Sequence, residues 1–137
     1  MITNKVKQNI QRIKAEIPPK ITLVAVTKGI PVEKINEAIV AGVTDIGENK
    51  LQEAEKKFSK LKTKVKKHFL GHLQTNKVKK IVALFDCIQS IDSIRVAELI
   101  NREAFQENKV IEGLIQINIG NEPQKQGIAA EQVYEFY

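Results

Sequence analysis

Among the residues whose types could do chemistry, Lys28 is the best placed. It follows the apolar, β-branched run Ile21–Val26, and in parallel α/β folds ligands sit beyond the C-terminal ends of the strands. At the end of a buried strand, desolvation favours the neutral amine, the form that attacks carbonyls and makes Schiff bases. The other reading is a lysine that snorkels to solvent. Further polar residues follow the later apolar runs: Glu48 and Asn49, then Gly71 to Asn76, then Ser90 and Asp92, then Asn118 with Gly120, Asn121 and Glu122. Glu48 and Asp92 have the chemistry of an acid or base, although Asp92, beside Ser93, also suits a helix cap, as do Thr75 and Asn76. Cys87 sits in an apolar run and reads as a buried, inert thiol. His68 and His72 flank a short strand, with the one Cys far away, so no metal site is expected. Neither a phosphate loop nor G-x-G-x-x-G is present.

The elements that must position these residues alternate. Ile2, Val6, Ile10 and Ile13 mark an amphipathic helix over 2–16 that ends before Pro18-Pro19. Ile21–Val26 reads as a strand buried on both faces. Pro31 opens a helix striped by Val32, Ile35, Ala38 and Ile39 and closed at Gly42. Strands are expected at 43–46, 68–70, 85–89 and 113–119. Between them fall helices over 50–62, from Thr75, and from Ser93 with a stripe of Ile94, Ala97, Ile100 and Ala104. A last helix begins near Ala129. Strands separated by single helices imply right-handed crossovers and a parallel sheet. Two α/β architectures share this pattern, an open five-stranded doubly wound sheet and part of a (β/α)8 barrel, and periodicity does not choose between them.

Composition bounds the function. The chain has 137 residues, 42% hydrophobic and 28% charged, enough apolar mass for one globular domain over 1–137. One Cys excludes an internal disulfide framework. No apolar run reaches the roughly 18 residues of a membrane span, and Met1 to Lys5 carry no secretory h-region; a cytoplasmic protein without a membrane partner is expected. The net charge is +6. Seven lysines (56, 57, 60, 62, 64, 66 and 67) form a run that would suit a phosphate backbone. Only three Arg accompany them, and Phe58, Leu61 and Val65 interleave at helical spacing, so the run reads as a solvated helix face rather than a nucleic-acid site.

Taken together the strand-end motifs resemble the pyridoxal phosphate homeostasis protein family, also known as proline synthetase co-transcribed homologues. Val24-Ala25-Val26-Thr27-Lys28-Gly29-Ile30-Pro31 resembles its lysine strand. Gly47-Glu48-Asn49-Lys50-Leu51-Gln52-Glu53 is similar to its G-E-N-Y-x-Q-E signature, and His68 to Lys77 to its H-F-I-G-x-L-Q-S-N-K signature. Gln89 to Ser93, and Gln116 to Ile119 with Lys125 to Gly127, match later family segments in order. The resemblance implies a TIM-type barrel like the alanine racemase N-terminal domain. It also implies pyridoxal 5′-phosphate (PLP) held as a Schiff base on Lys28, with Asn49 beside the cofactor ring. The implied role is intracellular vitamin B6 homeostasis without catalysis, with PLP-dependent apoenzymes as possible recipients.

Two substitutions depart from the family pattern: Lys50 replaces its Tyr, and Thr75 replaces its Ser. Nothing corresponds to three later βα units, including a Ser-rich turn and an Arg-x-Gly segment that cradle the phosphate. The resemblance therefore implies an incomplete barrel of about five of eight strands, a truncated form with weakened binding. It would act as a monomer or in an assembly completed by another chain. The alternatives are a fold-type III PLP enzyme such as an amino-acid racemase, for which no Tyr or Cys partner to Lys28 is evident, and a basic nucleic-acid-binding module.

Overall fold

The computed structural model describes residues 4–137, in two compact units, the first ending at His68 and the second spanning 69–137. Ile2, the first position of the expected stripe, lies outside the described residues, as do Met1 and Thr3.

The first unit contains α1 (Asn4–Glu16), β1 (Val24–Val26), α2 (Val32–Val40), β2 (Asp45–Glu48) and α3 (Leu51–Phe58), and ends in β3 (Lys66–Phe69), whose last residue opens the second unit. β1 and β2 run parallel, with Val24 opposite Asp45, Ala25 opposite Ile46 and Val26 opposite Gly47. On the far side of β2, the Lys66 N–H donates to the Thr44 carbonyl at 3.0 Å. β2 thus lies between β1 and β3. In the flavodoxin-like order β1 would hold that place, so this doubly wound arrangement is excluded for the unit.

α2 begins at Pro31, which has no N–H to leave unpaired, and stops at Gly42, whose φ of +106° suits glycine. Ile35, Ile46, Leu51, Ala54 and Phe58 are buried together in this unit. Each of the larger side chains contributes about 1.5–3 kcal/mol by leaving water. Asn36 ties α2 to the segment after α3, donating from Nδ2 to the Lys60 carbonyl and accepting from the Lys62 N–H.

Two expectations for this unit are corrected. β1 is shorter than Ile21–Val26 and is not buried on both faces: Val26 is 56% exposed, because β1 pairs only with β2 among the described residues and no described side chain covers that position. The helix expected over 50–62 stops at Phe58, where the chain turns through hydrogen bonds from Lys60 to Lys57 and from Leu61 to Phe58. The lysine run therefore covers a helix end, a loop and a strand rather than one helix face.

The second unit contains a 3-10 turn (Thr75–Lys77), α4 (Val78–Leu84), β4 (Cys87–Ile91), α5 (Ile94–Gln106) and β5 (Glu112–Ile115). Two short strands follow, β6 (Ile117–Asn118) and β7 (Ile128–Ala129), then a second 3-10 turn leading into α6 (Val133–Phe136). β4 and β5 pair in parallel, with a register shift between Ile88 and Ile91. Phe69 and Phe85 meet edge to face at 5.1 Å. Lys109 Nζ donates to the Val82 and Phe85 carbonyls, placing a cation at the C-terminal end of α4.

Ser93 caps α5, its Oγ accepting from the Val96 N–H at 3.2 Å, so the cap falls to Ser93 rather than Asp92. The buried stripe of α5 is Val96, Ile100 and Ala104, while Ile94 is 55% exposed. The strand expected over 113–119 is broken at Gln116, whose N–H donates to Ile91 and whose carbonyl accepts from Ile128. β6 consequently pairs with β7. Gly127, at φ +113°, lies so close to β6 that a Cβ would stand 2.7 Å from the Asn118 nitrogen.

Candidate functional site

The loop after β1 is a tight turn. The Ile30 N–H donates to the Thr27 carbonyl at 3.0 Å, which puts Lys28 and Gly29 at its two central positions. Gly29 has φ +69° while Lys28 does not, the signature of a type II turn with glycine third. A Cβ on Gly29 would meet nothing within 4 Å, so the glycine answers to backbone conformation and not to crowding.

Lys28 is exposed and its side chain makes no hydrogen bond or ion pair among the described residues. The desolvated setting expected from a buried strand is absent, because β1 is itself only partly covered. Asn49 is half-buried and directly follows β2. Carrying the β1–β2 register two residues beyond Val26 and Gly47 brings Lys28 level with Asn49. The two residues singled out by motif are thus brought to the same end of adjacent parallel strands.

Beneath them lies a group of ionic contacts. Glu48, the last residue of β2, is fully buried. Its Oε1 accepts the Asn49 N–H at 2.9 Å, and its Oε2 accepts the Thr27 hydroxyl at 2.9 Å and Lys57 Nζ at 3.1 Å. Lys57 Nζ also donates to the Thr27 carbonyl and to Glu53 Oε2, both at 2.8 Å, which uses all three of its protons. Glu53 Oε2 in turn accepts the Gly29 N–H at 3.0 Å.

Burial alone would lower the Lys57 pKa, but the hydrogen bonds and charges of Glu53 and Glu48 outweigh it and hold the ammonium's pKa above the ordinary value. Glu53 is lowered, first by the hydrogen bond from Lys57 and then by that from Gly29. Glu48 is enclosed by these contacts. Each of its oxygens is committed to holding the site residues.

At the other end of β2, Asp45 Oδ1 and His68 Nε2 lie 2.7 Å apart, and the Thr44 hydroxyl donates to Asp45 Oδ2 at 2.7 Å. His68 is buried and His72 exposed, and no group of three metal-ligating side chains occurs among the described residues. In the second unit, Asp92 is half-buried and Cys87 buried. Asn118 staples its own loop, donating to the Glu122 carbonyl at 2.8 Å and accepting the Glu122 N–H. Ser90 Oγ is buried without a hydrogen-bond partner. Thr75 and Asn76 are exposed and open the 3-10 turn without a side-chain cap.

Thr27, Glu53 and Lys57 are the contributors that residue-by-residue reading missed. Lys57 is hidden within the lysine run. The available signal was spacing: Glu53 and Lys57 are four apart, and Lys57 follows the buried Ala54 by three, at the rim of the apolar stripe.

Parallel strands joined by single helices, with a lysine turn and an Asn at the C-terminal ends of adjacent strands, define an α/β protein with a candidate site at those strand ends. The chain belongs to the alanine racemase N-terminal domain family, which it matches over residues 3–137. It is 33% identical to the pyridoxal phosphate homeostasis protein of Vibrio alginolyticus, over 96% of this chain and 63% of that protein.

PipY of Synechococcus elongatus aligns over 95% of the chain in both of its structures. Without PLP the TM-score is 0.89 at 34% identity, covering 62% of PipY; with PLP bound it is 0.85 at 32%, covering 61%. Alanine racemase from E. faecalis shares the fold, with a TM-score of 0.70 at 16% identity over 96% of this chain and 37% of that one. The fold is thus that of the barrel family and not an open doubly wound sheet, and the chain spans about three-fifths of the curated relative's length. No described helix is long and apolar enough to cross a membrane.

Proposed function

We propose that this chain binds pyridoxal 5′-phosphate through Lys28 and contributes to the homeostasis of that cofactor inside the cell. The observation that carries the reading is an unpaired, exposed primary amine at the end of β1, level with Asn49, in a chain of this family. The donor set fits the cofactor. A primary amine suits an aldehyde, an amide suits a polar ring substituent, and the open side of Gly29 leaves room for a ring. PLP supplies an aldehyde and an electron-withdrawing ring.

Lys28 would hold the cofactor through its aldehyde, to which a primary amine condenses with loss of water, and Asn49, its N–H bonded to Glu48, would take a polar ring substituent.

The reading is non-enzymatic. Racemisation needs acid/base groups on both faces of the bound substrate, and the first unit contains neither Tyr nor Cys to oppose Lys28. We read 1–137 as one cytoplasmic domain forming an incomplete barrel, without nucleic-acid or membrane partners, with PLP-dependent apoenzymes as candidate recipients of the cofactor. Retention by these residues alone is weak, since they include no assigned phosphate cradle.

The test is titration with PLP, followed by borohydride reduction and peptide mass analysis. The bound-cofactor absorbance appears and the label maps to Lys28, and both vanish in Lys28→Ala. Equal uptake by wild type and Lys28→Ala would overturn the assignment. Racemase activity of the isolated chain, measured with chiral detection, would overturn the non-enzymatic reading.

A further inference from the structure

The residues on either side of Lys28 are held by one ammonium. Lys57 Nζ takes the Thr27 carbonyl directly, and through Glu53 it holds the Gly29 N–H. Through Glu48 it also joins the Thr27 hydroxyl and the Asn49 N–H. Every polar backbone group that fixes the Lys28 turn from α3 passes through this cluster, while the Lys28 side chain itself touches none of it. A cluster serving stability alone would have no reason to converge on the two neighbours of the unpaired Lys28 and on Asn49.

We propose that Lys57 is a positioning residue. Anchored by Glu48 and Glu53, it locks the Thr27–Gly29 turn so that the Lys28 amine and Asn49 are presented together, and it thereby sets the rate at which a phosphorylated aldehyde is captured. Its effect on capture rests on the reading of Lys28 given above; its effect on the turn does not. Glu53 acts as an oxygen acceptor bridging Lys57 to the Gly29 N–H, so an amide in its place retains the turn and a methyl group does not.

Two measurements on the full chain test this. Amide exchange at Gly29 needs no cofactor. It is expected to accelerate about tenfold or more in Lys57→Met and Glu53→Ala, the loss of a hydrogen bond to a charged group, and to stay near wild type in Glu53→Gln. The rate of PLP labelling at Lys28, trapped with borohydride, is expected to fall by a similar factor in the first two variants and to be retained in Glu53→Gln. Labelling at exposed Lys20 stays constant throughout and serves as the internal control. Glu53 is partly exposed, so its variants keep the proposal testable if Lys57→Met fails to fold.

Unchanged Gly29 exchange in folded Lys57→Met or Glu53→Ala would overturn the proposal. So would a Glu53→Gln as impaired as Glu53→Ala, or loosened exchange with unaltered Lys28 labelling. If wild-type Lys28 labels no faster than Lys20, the binding reading fails instead, and Gly29 exchange alone decides whether Lys57 locks the turn.

Discussion

The two ends of β2 carry the same kind of residue for different ends. Asp45 and Glu48 are both buried carboxylates on one short strand, and both are fully partnered. At the N-terminal end Asp45 meets Thr44, the residue just before β2, and His68 on the neighbouring strand. At the C-terminal end Glu48 meets Thr27, Lys57 and Asn49, and that cluster opens onto an unpaired lysine. In barrels the C-terminal ends of strands host chemistry and the N-terminal ends host stability. Here the division is visible within four residues. A buried charge is retained where it positions something, and otherwise where a partner offsets its desolvation.

The largest effect should come from breaking the C-terminal cluster at its centre. Glu48→Ala takes the buried carboxylate from the Lys57 ammonium and from the Asn49 N–H, while the Thr27 hydroxyl keeps the Gly47 carbonyl and Lys57 keeps Glu53. Removing one partner of a buried pair costs about 3–5 kcal/mol, read as a lower midpoint in urea. A loss below about 1 kcal/mol, the range of surface pairs, would show that the cluster is wet and would erase the contrast with the turn above it.

Asp45→Asn should cost less, about 1–3 kcal/mol, because the amide keeps one oxygen for one partner and turns an N–H toward the other, where the Thr44 hydroxyl can accept it. The two ends also respond to pH in opposite senses. Burial alone would raise Asp45, but hydrogen bonds from Thr44 and His68 and the nearby charges outweigh it and hold its pKa below the ordinary 3.8. Its contribution is therefore complete above that value and is lost as pH falls through the depressed one. Lys57 is raised above 10.5, so its contribution is complete below that value and is lost as pH rises further. Stability measured against pH should lose part of its acid fall in Asp45→Asn and part of its alkaline fall in Lys57→Met. An exchange of the two limbs would refute the pairing.

The alternation of strands and helices was legible because short apolar runs alternate with helical stripes spaced three to four, such as those that bury Ile35 on α2 and Ile100 on α5. The strand-end position of Lys28 followed from the same pattern. Lys57 was not legible, since a lysine inside a lysine run carries no mark of which ammonium turns inward; only its place at the rim of the Leu51, Ala54 and Phe58 stripe distinguishes it. The break at Gln116 was invisible for a related reason. Ile115, Gln116 and Ile117 alternate as a strand should, and the interruption arises from hydrogen bonds to Ile91 and Ile128, residues distant in sequence. The exposure of Lys28 agrees with the reading of a lysine that snorkels to solvent; the choice between that and a desolvated amine depends on which strands flank β1, and local composition does not record that.

Between scaffold and site sits Gly29. Its surroundings leave space for a methyl group, so Gly29→Ala meets only the penalty of a positive φ, about 1–2 kcal/mol. The sharper result should be on uptake, because the penalty is relieved by moving the turn that carries Lys28. A variant that loses stability and captures PLP normally would show that the turn tolerates several conformations.

The smallest effect on stability is expected at the residue on which the proposed capture depends most. Lys28→Ala removes an exposed side chain with no hydrogen bond or ion pair among the described residues, and substitutions of that kind fall within about 0.5 kcal/mol. Its melting and urea curves should superimpose on wild type while cofactor labelling disappears. That pairing separates it from Glu48→Ala, which should lose capture through the collapse of the turn. If Lys28→Ala were instead destabilised by more than about 1 kcal/mol, beyond that surface range, its side chain would be packed or paired in solution, and the turn would hold a guarded amine rather than one presented to a ligand.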